Sequence, residues 1–377
     1  MENLKKQHLE HYGTHVKKET FTPGVLTLLG THTDYAGGST ISTTLNEGVL
    51  GVASPRVDRL IKLFFEDIDD DTFTLDLEDL DIQSDKPHHA ILVGLIRKLV
   101  HEGYDVSRGM DITLRSDIEK ESDTGFSSAM DMTLIKLLLK QNDVSLKDAK
   151  IIKYLMHVQK ETLGSLATST EPLNMLSEEP GTLRFINPGE DTLKTVPFDF
   201  ENYTLMLFDT NRSPELSMNT IVKRMKQVDK GYEAINAKRS IDTLCDLTID
   251  KFNQFKTFIT SPVVMKRVEH VIFENDRAKQ AVDVLENRDY VLFGELFTQS
   301  HTSLKELMEV SCEELDYITH DLNTLHALGT KMTGLGFGGT IVALFRRSDV
   351  PGEEALDDLK KRYSKRFHKT LSIKTVK

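Results

Sequence analysis

Long apolar runs are missing from this chain of 377 residues. Nothing approaches the run of about 18 apolar residues that a membrane-crossing helix requires, so no membrane association is expected. The opening residues, MENLKKQHLEHYG, are polar throughout and lack the apolar centre of a secretion signal, which makes the cytoplasm the expected compartment. Cysteine is scarce. Cys245 and Cys312 are the only two, they lie far apart, and no CxxC pair occurs. That excludes a disulfide framework. Positive charge is in deficit, with 47 Lys and Arg against 59 Asp and Glu, for a net charge of -12. Such a chain repels a phosphate backbone, and nucleic acid is excluded as a direct partner. An anionic ligand would need a local nest of amides, a cation or a metal. What is present is ordinary for a soluble globular protein: 39% apolar and 28% charged residues, in a length that fits one large or two medium domains.

Residues 25–30, VLTLLG, read as a short buried strand ending in glycine, followed by a loop with Gly37 and Gly38. Further strands are expected at 49–53, 59–65, around Ile112 and Leu114, at 205–208 and at 340–345. Apolar residues at Ile91, Leu92, Leu95, Ile96, Leu99 and Val100 have helical spacing, with Gly103 beyond them as a C-terminal cap. Helices are also expected at 151–163, 220–237 and 315–328. The acidic run DIDDD at 67–71 lacks the glycine and terminal glutamate of an EF-hand loop and reads as a solvated turn. Strands and helices alternate without regular βαβ spacing, giving a mixed α/β chain in two halves rather than a doubly wound sheet.

Three glycine-rich stretches carry the chemistry: residues 22–38, TPGVLTLLGTHTDYAGG; residues 123–131, DTGFSSAMD; and residues 333–339, TGLGFGG. The middle one follows a strand and opens a helix, an arrangement able to hold phosphate. One glycine loop alone says little. Three in this order, together with the HTDY tetrapeptide at 32–35 and SHTSLKELMEVSCEELDYI at 300–318, resemble the galactokinase branch of the kinase superfamily named for galactokinase, homoserine kinase, mevalonate kinase and phosphomevalonate kinase. The resemblance runs from about residue 21 to about residue 345. It implies an α+β fold of two domains, here 1–200 and 201–377, with the active-site cleft between them. It also implies transfer of phosphate from ATP, with Mg2+, to the anomeric hydroxyl of a galactose-like hexose.

Residue by residue, the resemblance is uneven. For sugar binding it implies Thr31, His32 and Asp34, with Thr31 standing where the family has glutamate. A family tyrosine that lines the sugar pocket falls near Thr220 and is absent. Polar groups of this kind discriminate among sugars because a wrong ligand leaves a buried donor or acceptor unpaired. The alternative is a polar loop in which Asp34 caps a turn. For the nucleotide it implies Asp123, Thr124, Gly125, Ser127 and Ser128, the last two also toward the metal. Asp123 replaces a glycine and Ala129 a serine, and the alternative is a helix start kept small for packing. The candidate base is Glu171, seven residues after Gly164. It is one methylene longer than the family aspartate, and Ala167 and Thr168 replace a cysteine and a glycine. Glu171 could equally be a first-turn carboxylate ahead of Pro172 at the first helical position. The arginine that pairs with that aspartate is Val25 here, which cannot answer charge on a moving phosphoryl group. Gly334, Gly336 and Gly338 form the expected active-site turn. Two readings follow: a sugar 1-kinase with impaired activity or altered substrate, and an inactive homologue that binds sugar or nucleotide as a sensor or partner protein.

Overall fold

A computed structural model describes residues 1–67, 72–82, 84–119, 122, 124–163, 168–176, 182–190, 192–213 and 217–376. Asp123, residues 164–167 and most of the acidic run lie outside the described residues. The chain divides into two compact units. One comprises Met1–Val25, Leu45–Lys120 and Gly125–Glu178; the other comprises Leu26–Thr44, Glu121–Thr124 and Glu179–Lys377.

In the first unit, helix α1 (Glu2–Tyr12) precedes strands β1 (Lys18–Leu29) and β2 (Thr40–Pro55), both of which continue into the second unit. Next come β3 (Leu60–Phe65), β4 (Thr72–Asp76), helix α2 (Pro87–His101) and β5 (Met110–Ser116). Helices α3 (Phe126–Gln141), α4 (Asp148–Leu163) and α5 (Thr170–Met175) complete it. The strands lie in the order β4-β3-β5-β2. β3 runs parallel to β5, and β2 runs antiparallel to it with Val49 opposite Ser116. The helical spacing read from the sequence is realised for five of six residues: Ile91, Leu92, Leu95, Ile96 and Leu99 are buried in one core with Ile61, Leu63, Ile112 and Leu114, while Val100 faces outward and is exposed. Pro87 opens α2, where its missing N–H costs nothing, and Gly103 takes a left-handed φ of 86° behind it. The polar N-terminus forms a helix after all. Leu4 and His8 are its two buried residues, and the His8 ring bridges the hydroxyls of Thr113 (2.8 Å) and Ser54 (2.9 Å).

In the second unit, the start of β2 pairs antiparallel with β6 (Leu183–Asn187), Thr40 opposite Ile186, and β6 pairs with β7 (Thr192–Val196). After β8 (Tyr203–Asp209) come α6 (Met218–Asn236), α7 (Ile249–Phe255), α8 (Pro262–Glu286) and α9 (Tyr290–Ser303). α9 runs into a π-helical turn, Leu304–Met308, ending at Glu309 with φ 55°. Helix α10 (Glu313–Thr324), strands β9 (Gly329–Met332) and β10 (Thr340–Arg346), helix α11 (Glu353–Phe367) and β11 (Ser372–Thr375) follow. The strands β11-β8-β10-β9 make an antiparallel sheet over Phe208, Leu304, Ile318, Leu322, Ile341 and Phe345. The helix expected at 315–328 stops at Thr324, because Gly329 already opens β9. Cys245 and Cys312 are both free thiols. No helix among the described residues is long and apolar enough to cross a membrane.

Candidate functional site

The first candidate element is the turn after β1, which lies in the second unit. Gly30 has φ 86°, and a Cβ there would stand 2.1 Å from the Ser39 carbonyl oxygen, so no other residue fits. Its N–H donates to Glu274 Oε1 at 3.0 Å. Thr33 closes the turn, its hydroxyl donating to the Gly30 carbonyl at 2.7 Å. His32 is held at a positive φ of 62° and is almost wholly buried. Its Nε2 donates to the Leu335 carbonyl at 3.1 Å, while Nδ1 faces the Tyr35 hydroxyl at 3.4 Å. Burial lowers its pKa, so the ring is neutral at pH 7. The first and third sequence motifs thus meet through one hydrogen bond. Asp34 opens a short 3-10 turn and accepts from the Tyr35 N–H at 3.0 Å.

Thr31 has partners that the sequence did not reveal. Its hydroxyl accepts from Lys331 Nζ at 2.9 Å, and its carbonyl accepts from His270 Nε2 at 3.0 Å. Lys331 is fully buried in β9. Burial pulls its ammonium down to about 8, with Glu274 partly offsetting the effect. Glu274 is itself wholly buried; burial pushes its pKa up, but Arg277 and neighbouring positive groups outweigh that and hold it at about 2. It accepts from Arg277 Nε at 2.8 Å and the Ser300 hydroxyl at 2.7 Å. A charged network therefore underlies residues 30–32. Its members sit on α8, α9 and β9, far along the chain; Ser300 falls within the 300–318 stretch noted in the sequence, while Glu274, Arg277 and Lys331 had no motif to mark them.

The second element is the glycine turn at 333–339. Gly334, Gly336 and Gly339 have φ values of 67°, 82° and 74°. A Cβ on Gly336 would stand 2.5 Å from the Val310 carbonyl oxygen, and one on Gly338 would stand 2.2 Å from that of Arg212. The lack of side chains is required by the protein's own backbone. The turn is pinned by Phe337 N–H to the Val310 carbonyl (2.6 Å) and Gly339 N–H to the Arg212 carbonyl (2.9 Å). Beyond it the Thr340 hydroxyl donates to the Ser122 carbonyl at 2.8 Å. The buried Ser122 and Thr124 hydroxyls bond each other at 2.7 Å, so Thr124 is engaged internally.

The third element lies in the first unit. Gly125, φ 81°, is the N-cap of α3 and has no side chain to cap it, and Phe126, Ser127 and Ser128 form its first turn. First-turn N–H groups lack helical acceptors, and this end of a helix favours anions. Ala129 is wholly buried in the core, where a serine hydroxyl would need a partner. Ser128 Oγ donates to Glu171 Oε2 at 2.5 Å, which brings the candidate base onto the phosphate-type loop. Glu171 is the second residue of α5, and Pro172 is the third rather than the first expected from the sequence. Proline is tolerated there because first-turn N–H groups have no intrahelical acceptor. Val25 is 2% exposed and packs on this loop, its N 3.1 Å from the position a Gly125 Cβ would take. Among the described residues, no group of three or more His, Cys, Asp or Glu side chains is gathered to hold a metal. Ser127, Ser128 and Glu171 supply only hydroxyl and carboxylate oxygens, the donor type that Mg2+ takes.

Comparisons with known proteins cover the first and second of these elements. A family model described as the galactokinase galactose-binding signature matches residues 6–55, which contain Thr31, His32 and Asp34. A model described as GHMP kinases C terminal matches residues 281–365, which contain Lys331 and the glycine turn. The 122–129 loop and Glu171 fall outside both spans. A galactokinase of Clostridium tetani is 30% identical over 374 residues, covering 98% of this chain and 93% of that protein. A crystal structure of Lactococcus lactis galactokinase complexed with galactose has the same fold, with a TM-score of 0.93 at 22% identity over 100% of this chain and 97% of that one. Methanococcus jannaschii mevalonate kinase is more distant, with a TM-score of 0.65 at 20% identity over 97% of this chain and 98% of that one.

Proposed function

Because the chain belongs to the galactokinase family, we propose that it is an ATP-dependent sugar kinase of low turnover, acting on the anomeric hydroxyl of a galactose-like hexose. The observation that carries the proposal is the 2.5 Å bond from Ser128 Oγ to Glu171 Oε2. It joins a carboxylate able to accept a hydroxyl proton to the loop whose helix start suits phosphate oxygens. In this reading the uncapped amides of Phe126, Ser127 and Ser128 hold phosphate. Ser127 and Ser128, with Glu171, present oxygens to a magnesium ion. Bound ATP and Mg2+ supply the transferable phosphoryl group and the positive charge that offsets it. Asp34 is the acceptor for sugar hydroxyls. Thr31 and His32 act chiefly by fixing the turn, since each is already hydrogen-bonded to β9 or to the glycine turn.

Val25 favours a second reading, a homologue that binds both ligands without turnover. A buried valine beside Gly125 leaves that position with no cation. A galactose-dependent ADP-release assay, run beside calorimetric titrations of galactose and of ATP with Mg2+, separates the two. The kinase reading expects both ligands to bind and slow ADP release that Glu171→Gln lowers by about a hundredfold or more. Binding with no release from either protein would establish the second reading. No binding of either ligand would overturn both.

A further inference from the structure

Helices α6 and α8 and the end of the π-helical turn gather three cations about one carboxylate. Glu309 accepts from Arg267 Nη2 at 2.6 Å, from Lys266 Nζ at 3.0 Å and from Arg224 Nη2 at 3.4 Å. Three cations thus share one carboxylate in a chain whose net charge is -12. The three cations differ in how well they are satisfied. Arg267 is 1% exposed and has a partner at each nitrogen: Nε donates to Gln227 Oε1 at 3.1 Å and Nη1 to the Leu307 carbonyl, besides the bond from Nη2 to Glu309. Lys266 is half exposed, at 48%. Arg224 is the least satisfied of the three. Its side chain is 15% exposed, its Nε is buried without a partner, and among the described residues its one hydrogen bond is the long one to a carboxylate already held twice. Burial, and then Arg267, lower its pKa. A buried guanidinium N–H without an acceptor is costly unless an anion takes it.

We propose that Arg224 and Lys266 form a binding site for the phosphate group of a small molecule. A guanidinium fork beside an ammonium fits a tetrahedral dianion better than it fits a single carboxylate. The site borders the sugar turn by two routes. Arg224 lies one helical turn beyond Thr220 on α6, near which the family resemblance places a sugar-pocket tyrosine. Glu309 precedes Val310, whose carbonyl holds the Phe337 N–H at 2.6 Å, next to the Leu335 that anchors His32. The proposal rests on the kinase reading only for the choice of a sugar phosphate over free phosphate.

The test is a titration of the full chain, without ATP, followed by thermal shift and phosphorus NMR line width. The probes are inorganic phosphate, galactose 1-phosphate and galactose, at matched ionic strength in chloride. Both phosphates are expected to bind saturably. Arg224→Met should weaken them by about tenfold to a hundredfold, the scale of a lost charge-assisted hydrogen bond. The half-exposed Lys266→Met keeps the test alive if Arg224→Met does not fold, and should weaken phosphate severalfold. Tighter binding of galactose 1-phosphate than of phosphate assigns the sugar phosphate; equal binding assigns the free ion. No shift with either phosphate, or equal phosphate affinity in parent and variants, overturns the proposal. ADP release plays no part, so a failed kinase reading leaves this outcome unaffected.

Discussion

Lys331 is the residue whose environment departs most from what its type suggests. A lysine just ahead of a glycine turn reads as a surface residue, yet it is wholly buried, with Thr31 Oγ1 as its hydrogen-bond acceptor. Its pKa lies at about 8 against an ordinary 10.5. The folded state thus gives up the proton first. Between pH 8 and 10.5 the unfolded chain binds more protons at this site, so stability rises with pH across that window. Fully realised, the gain is about 3 kcal/mol. Denaturant unfolding at pH 7.5 and pH 10, on the parent and on Lys331→Met, isolates it. The parent should gain relative to the variant, and parallel behaviour would contradict the assignment. The sequence marked Thr31, His32 and Asp34 through the HTDY context. It could not mark Lys331, Glu274 or His270, because a buried polar partner is recognised by its contacts and not by its neighbours in the chain.

At the scale of elements, periodicity was informative where one face is apolar, as in α2, and uninformative where a helix buries polar groups. Helix α8 buries Arg267, His270, Glu274, Asn275 and Arg277, and helix α1 docks through Leu4 and His8. Neither shows a simple apolar stripe. The glycine turn was legible as a turn, but its cause was not. The space denied to side chains is filled by Val310 and Arg212. Gly336→Ala must both hold φ 82° and place a methyl 2.5 Å from a carbonyl oxygen. It should destabilise the chain by about 2 kcal/mol or more and loosen the turn that anchors His32. Gly352→Ala, with nothing within 4 Å and an ordinary φ of -66°, is the control and should cost no more than about 1 kcal/mol, the loss of a favourable N-cap residue. Thermal unfolding of the two variants decides it, and equal effects would contradict the steric account.

For the whole molecule, the fold and family were legible because three glycine motifs in order leave few alternatives. Catalytic competence was harder to read, since it hangs on Val25, Glu171 and the loop between them. The structure adds that Glu171 touches Ser128 and that Val25 packs on Gly125. In the proposed reading, valine at position 25 limits the rate more than any lack of a base, since loss of a charge on the transferring group costs about a thousandfold. The double variant Val25→Arg with Glu171→Asp supplies the cation and shortens the carboxylate. The two groups act on one transition state, so their gains should exceed the sum of the singles. Galactose-dependent ADP release at saturating ATP and Mg2+, with folding of each variant checked by thermal unfolding, is the direct measurement. The account predicts a parent at least about a thousandfold below the roughly 1–100 per second of ordinary kinases, and a double variant well above the parent and both singles. A parent that turns over at the ordinary rate, or a folded, ligand-binding double variant no faster than the parent, would contradict it.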